Sequence, residues 1–275
     1  MILGPLLRPE AFRELPSTTV ILDARAGAEA ARAYARGHVP GAFRVDLERT
    51  LSAPHDPRLG GRHPLPPLER WLCDLGNWGV GPNTPVVIYD DHGGAMAAAR
   101  AWWMLRAVGH SQVAVVEGGL RALETEGVPL DRQEVAPPKS ASAYETTCTC
   151  WPTVDSGWIQ RHLDDSEWRL LDARAPQRFR GEVEPIDPVA GHIPGAVNLH
   201  WESQLGADGR FAPAEDRLES YDRARGDVQA NHIVCYCGSG VTACHLILGL
   251  EAAGVHGAQL YVGSWSEWCR LHPPP

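Results

Sequence analysis

One cysteine of this chain occupies a position that suits a reactive anion. A short apolar run of strand-forming residues ends at Cys237. Glycine, serine and threonine dominate residues 238–242, and the apolar stretch 243–253 then predicts a helix that stops at Gly254. The order is strand, tight loop and helix. In an open α/β sheet such a junction lies at the carboxyl end of a strand, where ligands bind.

The loop after Cys237 has the composition of an anion cradle. Gly238 and Gly240 allow backbone conformations in which successive N–H groups point to the centre of the loop. The predicted helix N-terminus behind the loop adds partial positive charge, which favours a thiolate or an anionic sulfur carried on Cys237 over a neutral thiol. The alternative is an ordinary buried cysteine at a strand end, and the sequence CGSGVT favours the reactive interpretation.

The same loop resembles a known family. CGSGVT followed by Ala243 and Cys244 is similar to the active-site loop of the rhodanese superfamily, in its tandem-domain sulfurtransferases that act on 3-mercaptopyruvate or thiosulfate. The resemblance implies that Cys237 takes sulfur from a small anionic donor, becomes a persulfide, and passes the sulfur to a thiol, cyanide or protein acceptor. It implies no cofactor and no metal. Tyrosine phosphatases use a similar loop but need an arginine six residues after the cysteine, where this chain has Ala243.

Composition excludes several partner classes. The 275 residues carry a formal net charge of −9 and contain no basic cluster, which argues against nucleic acid or an anionic membrane surface as a partner. No apolar run approaches membrane-spanning length, and the first residues do not form a secretory signal. An odd number of cysteines, seven, favours reduced thiols over a disulfide framework. We therefore expect a cytoplasmic protein.

Zinc is the alternative use of the cysteines. Cys148 with Cys150, and Cys235 with Cys237, form two C-x-C pairs. Zinc sites usually use wider C-x-x-C knuckles, so we expect no metal centre.

The chain contains an internal duplication. Four segments return in the same order at offsets between 145 and 154: 21–25 at 170–174, 37–42 at 191–196, 86–90 at 233–237, and 116–120 at 261–265. Short apolar runs alternate with helical stretches in each copy, which predicts an α/β fold in which each copy is a parallel sheet flanked by helices. The resemblance implies that the copies are two tandem rhodanese-like domains. We predict domains at 1–135 and 153–275, joined by a proline- and serine-rich linker at 136–152.

The first copy lacks the nucleophile. Asp90 occupies the position of Cys237, and a carboxylate cannot carry a sulfur atom. We expect the first copy to wall one side of the active site. The alternative, Asp90 and Asp91 as metal ligands, is less favoured.

Donor binding requires a fixed cation, because both candidate donors are anions. The family motif that holds a donor-binding arginine matches DARAPQRF and points to Arg178. A second arginine typical of mercaptopyruvate enzymes is replaced by Ile186, and Arg180 is the candidate to take over its contact. Thiosulfate enzymes of the family carry cationic residues directly after the cysteine, where this chain has the uncharged Gly238-Ser239-Gly240. The resemblance therefore implies mercaptopyruvate rather than thiosulfate, and the missing arginine weakens that preference. An arginine at this spacing is otherwise a surface charge.

The loop also supplies binding and proton-transfer groups. The resemblance implies that the backbone of four loop residues holds the sulfur: Gly238, Gly240, Val241 and Thr242. It also implies a relay of a serine, a histidine and a carboxylate, which matches Ser239, His63 and Glu48, with Asp46 as the alternative carboxylate. The alternative is that neither residue is catalytic, so that His63 is a loop histidine and Glu48 is a solvated surface charge.

Some motifs are interpreted as structural. His38 and His192 lie in a Gly-His-x-Pro-Gly turn present in both copies, so we expect them to hydrogen-bond a loop. The terminal motif 265–268 is expected to pack near the cleft, and the alternative for Trp265 is that it borders the donor site.

Two rival functions come from other classes. One is a persulfide carrier or regulatory binding module without turnover. The other is a redox sensor that pairs Cys237 with Cys235 or Cys244, which the strained geometry of a C-x-C bond disfavours.

Overall fold

The structure is a computed structural model that describes residues 3–54, 56–136 and 142–272. As far as they are described, the residues form two compact units. The first unit contains Met1–Ala53, Pro66–Trp151 and Asp208–Arg210, and the second contains Pro54–Leu65, Pro152–Ala207 and Phe211–Pro275. Part of the predicted linker 136–152, residues 137–141, lies outside the described residues. The domain limits proposed from the sequence stay a prediction.

The described part of the first unit contains one parallel sheet of five strands in the order β1-β5-β4-β2-β3. Its strands are β1 Leu6–Leu7, β2 Val20–Asp23, β3 Ala42–Arg44, β4 Val86–Tyr89 and β5 Val113–Val116. Its helices are α1 Ala30–Arg36, α2 Leu68–Asn77, α3 Ala97–Ala107 and α4 Gly119–Thr125, with a 3₁₀ helix at Pro9–Glu14.

The second unit repeats this architecture. Its described residues form a parallel sheet in the order β6-β10-β9-β7-β8. The strands are β6 Thr153–Val154, β7 Arg169–Asp172, β8 Val197–Asn198, β9 Ile233–Tyr236 and β10 Gln259–Tyr261. The helices are α5 Ser156–Arg161, α6 Pro176–Phe179, α7 Ala214–Arg225, α8 Thr242–Ala252 and α9 Ser264–Leu271, with 3₁₀ helices at Trp201–Gln204 and Ala230–His232. Two tandem α/β domains with parallel sheets are thus confirmed.

The central strands are apolar on both faces because helices cover both sides of each sheet. All four residues of β4, and all four of β9, are buried. Each unit has a core of its own: Val87, Tyr89 and Val116 belong to the first, and Val234 and Tyr236 belong to the second.

The repeated motifs explain how the carboxyl end of one strand in each sheet, β2 or β7, is fixed. Arg174 donates from Nε and Nη2 to both carboxylate oxygens of Asp172 and from Nη2 to the Gly191 carbonyl at 2.7 Å. In the first unit Arg25 makes the same fork on Asp23 and reaches the Gly37 carbonyl at 2.9 Å. A buried bidentate pair therefore ties the end of β2 or β7 to the Gly-His turn in both copies. Its presence in both copies marks it as structural.

The histidines of these turns are structural too. His38 Nδ1 lies 2.9 Å from the Tyr34 carbonyl, and His192 Nδ1 lies 2.7 Å from the Phe179 carbonyl. His38 Nε2 also lies 3.1 Å from the carbonyl of Gln133, which is outside any helix or strand, so the expected bond to a loop is confirmed for His38. The partner of His192 is instead the last residue of α6. Within the described residues, no helix combines the length and apolarity needed to cross a bilayer.

Candidate active site

Cys237 leaves the sheet one residue earlier than the sequence suggests. Strand β9 ends at Tyr236, because the N–H of Cys237 donates to Ser264 Oγ at 3.1 Å instead of to a neighbouring strand. Its carbonyl accepts from the N–H of Trp265 at 3.0 Å. The cysteine is 1% exposed and begins the loop that precedes α8. The N-terminal residues of α9 thus fix the backbone of the candidate nucleophile.

Ser264 has a strained backbone. Its φ is +53°, and in the described chain it is the one non-glycine residue with positive φ. A side chain there costs on the order of 1–3 kcal/mol. At the matching position of the first copy stands Gly119, with φ +61°. The strain in the second copy accompanies a hydrogen bond that glycine cannot make, the one from Cys237 N–H to the serine hydroxyl.

The matching loop of the first unit shows what such a loop does with its amides. The Asp90 carboxylate is completely buried and accepts N–H bonds from Gly94 at 2.7 Å and His92 at 2.9 Å. It also accepts from Met96 and Ala98, at 3.2 and 3.3 Å. Burial raises the pKa of Asp90, and these four N–H donors oppose that rise. In this copy, a carboxyl group at the end of β4 fills the centre of the loop.

The loop that follows Cys237 is shorter. Helix α8 begins five residues after Cys237 (242 − 237), whereas α3 begins seven residues after Asp90 (97 − 90). Gly240 has φ +74°, and Val241 is buried where the loop enters the helix at Thr242. Cys244 Sγ donates to the Gly240 carbonyl at 3.3 Å, so that thiol is turned towards the backbone of its own helix.

Two guanidinium groups lie against Gly238. A Cβ built on this residue would stand 2.9 Å from Arg62 Nη2 and 3.6 Å from Arg178 Nη1. A side chain at this position would therefore displace the tip of the Arg62 side chain. Arg178 was a sequence-predicted residue and Arg62 was not.

Arg178 is oriented by carboxylates. It projects from α6 and donates to Glu184 Oε1 from Nη2 at 2.6 Å and to Oε2 from Nε at 3.2 Å. Its Nη2 also lies 3.5 Å from Asp187 Oδ2. Burial alone would raise the pKa of Glu184, but the bond from Arg178 and the amides of Asp187 and Ile186 outweigh it, and the pKa is lowered.

Arg180 occupies a different environment. Its side chain is exposed and pairs with exposed Glu182, with Nε 2.7 Å from Oε1 and Nη2 3.0 Å from Oε2. This pair is solvated, and Arg178 rather than Arg180 is the α6-region arginine against Gly238.

His63 and Ser239 are brought together. His63 Nδ1 lies 2.7 Å from Ser239 Oγ, and the serine is buried. In the tautomer that carries its proton on Nε2, the Nδ1 atom accepts from the serine hydroxyl. Two of the predicted relay groups are therefore in hydrogen-bond contact.

His63 is presented by the segment Pro54–Leu65, here called the strap, which belongs to the second unit. Helix α9 holds it: Gly60 N–H donates to Glu267 Oε1 at 2.7 Å and Arg62 N–H donates to Ser266 Oγ at 3.1 Å. Gly61 has φ +77°, and a Cβ there would collide with the Gly263 carbonyl. Gly61 has no room for a side chain because the strap lies directly on the start of α9, whereas a Cβ on Gly60, at φ +89°, would meet Pro64 of the strap itself.

The carboxylate candidates lie in the first unit. Asp46 accepts from the amides of Glu48 at 2.9 Å and Arg49 at 3.2 Å, and from Arg44 Nη2 at 2.6 Å. Burial alone would raise the pKa of Asp46, but these donors lower it. The Asp46 carboxylate therefore stabilises its own turn. Glu48 is exposed, and its role as the relay carboxylate stays a prediction.

Sequence reasoning missed three contributors to this arrangement. Arg62 lies against Gly238, Ser264 binds the Cys237 amide, and Glu267 holds the strap. The signals were present in the Gly60-Gly61 pair and in the terminal motif, which had been interpreted as packing. Trp265 does pack as expected, since it is buried and donates from Nε1 to the Val189 carbonyl at 2.9 Å. No cluster of metal-ligating side chains occurs in residues 3–54, 56–136 and 142–272.

Comparison with known proteins agrees with this architecture. The profile of the Rhodanese-like domain matches residues 9–126 and again 155–271. The chain is 43% identical over 254 residues to a probable 3-mercaptopyruvate sulfurtransferase from Pseudomonas aeruginosa, covering 90% of this chain and 88% of that protein. It is 38% identical over 245 residues to a putative thiosulfate sulfurtransferase from Mycobacterium tuberculosis, covering 86% and 81%.

A solved structure is similar over both copies. The 3-mercaptopyruvate sulfurtransferase from Leishmania major superposes with a TM-score of 0.85 at 30% identity, covering 99% of this chain and 76% of that one. Both repeats match one domain family, and both relatives are matched over most of their length. The chain therefore belongs to the rhodanese-like family and carries two copies of its domain.

Proposed function

We propose that this protein is a sulfurtransferase that moves a sulfur atom from 3-mercaptopyruvate to a thiol, cyanide or protein acceptor through a persulfide on Cys237. The observation that carries the proposal is what surrounds Cys237. Two guanidinium groups lie against the next residue, and the residue after that is hydrogen-bonded to His63. Cations suit the donor's carboxylate, and the serine-histidine pair suits proton transfer.

In the first half-reaction, the Cys237 thiolate attacks the sulfur of the donor. An S–S bond forms, the donor's C–S bond breaks, and the electron pair of that bond goes to the departing carbon as the enolate of pyruvate. The enolate then takes up a proton to give pyruvate. Arg178, held by Glu184, orients the donor carboxylate during this step.

Ser239 and His63 move the proton. The proton that the donor thiol loses passes through the Ser239 hydroxyl to His63 Nδ1, 2.7 Å away, and the imidazolium returns it by the same route to the leaving enolate. Glu48 is the proposed carboxylate of this relay.

The loop holds the product of the first step. Amides of Gly238, Gly240, Val241 and Thr242 stabilise the anionic outer sulfur of the persulfide, in the way that the amides after β4 stabilise the Asp90 carboxylate. In the second half-reaction an acceptor thiolate attacks this outer sulfur, the S–S bond breaks, and the Cys237 thiolate is restored. The seven cysteines, all free thiols, support a reducing compartment such as the cytoplasm.

Thiosulfate is the second candidate donor. The relative from Mycobacterium tuberculosis bears a thiosulfate name, and thiosulfate is also an anion that arginines attract. Mercaptopyruvate is favoured because residues 238–240 carry no charge beside the cysteine, and because a planar carboxylate fits a guanidinium fork.

Steady-state sulfur transfer to cyanide and to a thiol, with each donor in turn, tests the assignment. We expect mercaptopyruvate to give the higher kcat/KM and Cys237→Ser to abolish transfer from both donors. A higher kcat/KM with thiosulfate would reassign the donor. Undiminished turnover by Cys237→Ser would overturn the mechanism, and no turnover by the wild type would leave the carrier function.

A further inference from the structure

The sequence does not identify a second cationic residue that could bind the donor carboxylate beside Arg178. A donor carboxylate is best held from two sides, yet Ile186 replaces the second arginine, and Arg180 is occupied by Glu182 in solvent. A different arginine lies against the residue that follows Cys237. Arg62, from the strap, reaches the same residue as Arg178, namely Gly238.

The two guanidinium groups share one carboxylate. Asp187 is completely buried at its side chain and pairs through Oδ1 with Arg62 Nη1. Its Oδ1 also lies 3.2 Å from Arg270 Nη1, and its Oδ2 lies 3.5 Å from Arg178 Nη2. Asp187 therefore fixes the direction of Arg62, and Glu184 fixes that of Arg178, before any ligand arrives. Pre-oriented donors bind a ligand with less loss of side-chain entropy.

The charges of this cluster do not cancel. Four guanidinium groups face three carboxylates, which leaves one positive charge in excess: Arg62, Arg174, Arg178 and Arg270 against Asp172, Glu184 and Asp187. The side chains of Arg62 and Arg178 are 20% and 17% exposed, so both reach solvent while the carboxylates are buried. A single anionic group would neutralise the excess from the open side.

The main chain of Arg62 is also held in place. Its N–H donates to Ser266 Oγ at 3.1 Å, and its neighbour His63 is bonded to Ser239. The strap therefore presents a cation and a proton-transfer group from adjacent residues to adjacent residues of the loop, Gly238 and Ser239.

We propose that Arg62 is the second donor-binding residue and that it grips the donor's carboxylate together with Arg178. The inference rests on the proposed function, since it takes the donor to be 3-mercaptopyruvate. It makes Arg62 a determinant of donor affinity and gives it no part in passing the sulfur on.

The test compares Arg62→Ala and Arg62→Lys with Arg58→Ala. Arg58 lies on the same strap, is 70% exposed and pairs with Asp56. For Arg62→Ala we expect the KM for mercaptopyruvate to rise about 10- to 100-fold, with a smaller rise for lysine, because an ammonium keeps the charge and loses the fork. Arg58→Ala leaves KM unchanged. A KM within about twofold of wild type for Arg62→Ala, or a rise in Arg180→Ala instead, would overturn the inference.

Two further readouts separate binding from folding and from the function itself. Persulfide loaded on Arg62→Ala at saturating donor, then freed of donor, should pass to dithiothreitol at the wild-type rate, and a slowed discharge would contradict a role confined to the donor. Pyruvate, which carries the same carboxylate, should bind Arg62→Ala and Arg62→Lys more weakly than wild type in calorimetry. Equal pyruvate affinity would overturn the inference, whereas failure of wild type to load persulfide would overturn the proposed function.

Discussion

At the scale of single residues, the two copies differ at matched positions on which the proposed reaction depends. Asp90 stands where Cys237 stands, and Gly119 stands where Ser264 stands. The first exchange was predictable from the repeat, because a carboxylate cannot carry sulfur. The second was not, because the role of Ser264 depends on a hydrogen bond to a residue that is 27 positions away.

Ser264 offers a paired test of strain against hydrogen bonding. Ser264→Ala keeps a side chain at φ +53° and loses the hydroxyl, whereas Ser264→Gly loses the hydroxyl and relieves the strain. We expect both variants to lower kcat/KM by about tenfold, because the Cys237 amide loses its partner. The glycine variant should exceed the alanine variant in unfolding free energy by about 1 kcal/mol. Urea unfolding measures this difference, and equal stabilities would contradict the strain.

At the scale of elements, α9 holds the strap in place, and the strap in turn positions His63. The family resemblance pointed to His63, but it could not show what positions it, since Gly60 and Glu267 are 207 residues apart. The terminal motif was interpreted as packing, and its glutamate and second serine turn out to hold the strap. Helix limits were predicted more closely: α8 begins and ends one residue before the range expected from the apolar pattern.

Substitution of Glu267 tests whether the position of the strap depends on α9. Its two oxygens accept from Gly60 N–H at 2.7 Å and from the Tyr261 hydroxyl at 2.8 Å. Glu267→Ala should lower the unfolding free energy by about 1–3 kcal/mol and kcat/KM by about tenfold or more, because a half-buried amide loses its acceptor.

Glu267→Gln is the matched control for that loss. Its carbonyl can accept from Gly60 and its NH₂ group can donate to the tyrosine oxygen, so most of the activity should remain. Steady-state kinetics and thermal unfolding are measured for both variants. An alanine variant as active as the glutamine variant would show that activity does not depend on the bond between Glu267 and the strap.

At the scale of the whole molecule, the sequence predicted the duplication and the two parallel sheets, because the repeated segments keep their order. It could not predict that the strap would be grouped with the second copy, since repeats carry no information about segments that lie between them. The described units each contain a complete sheet and core.

A buried histidine should set part of the acid stability of the second unit. His245 on α8 stacks on Phe211, with ring centroids 4.6 Å apart, and its two ring nitrogens have no hydrogen-bond partner among the described residues. Burial, reinforced by the charge of Arg217, lowers the pKa of His245 from its ordinary 6.5 to about 3. Between these values the unfolded chain binds a proton that the folded chain does not, so stability falls as the pH drops below about 6.5.

His245→Leu removes that dependence. Between pH 7.5 and pH 5.5 the wild type should lose about 1.4 kcal/mol of unfolding free energy through His245. Over the same pH range the loss in the leucine variant should be smaller by that amount. Urea unfolding at the two pH values gives the difference. Parallel losses in the two proteins would show that His245 is protonated in the folded state.

The most direct test of the account is the location of the transferred sulfur. After reaction with 3-mercaptopyruvate in the absence of acceptor, intact-protein mass spectrometry should show the gain of one sulfur atom, and peptide mapping should place it on Cys237. Addition of a thiol should remove it. A stable sulfur on any of the other six cysteines, or none on Cys237 while turnover proceeds, would contradict the central claim.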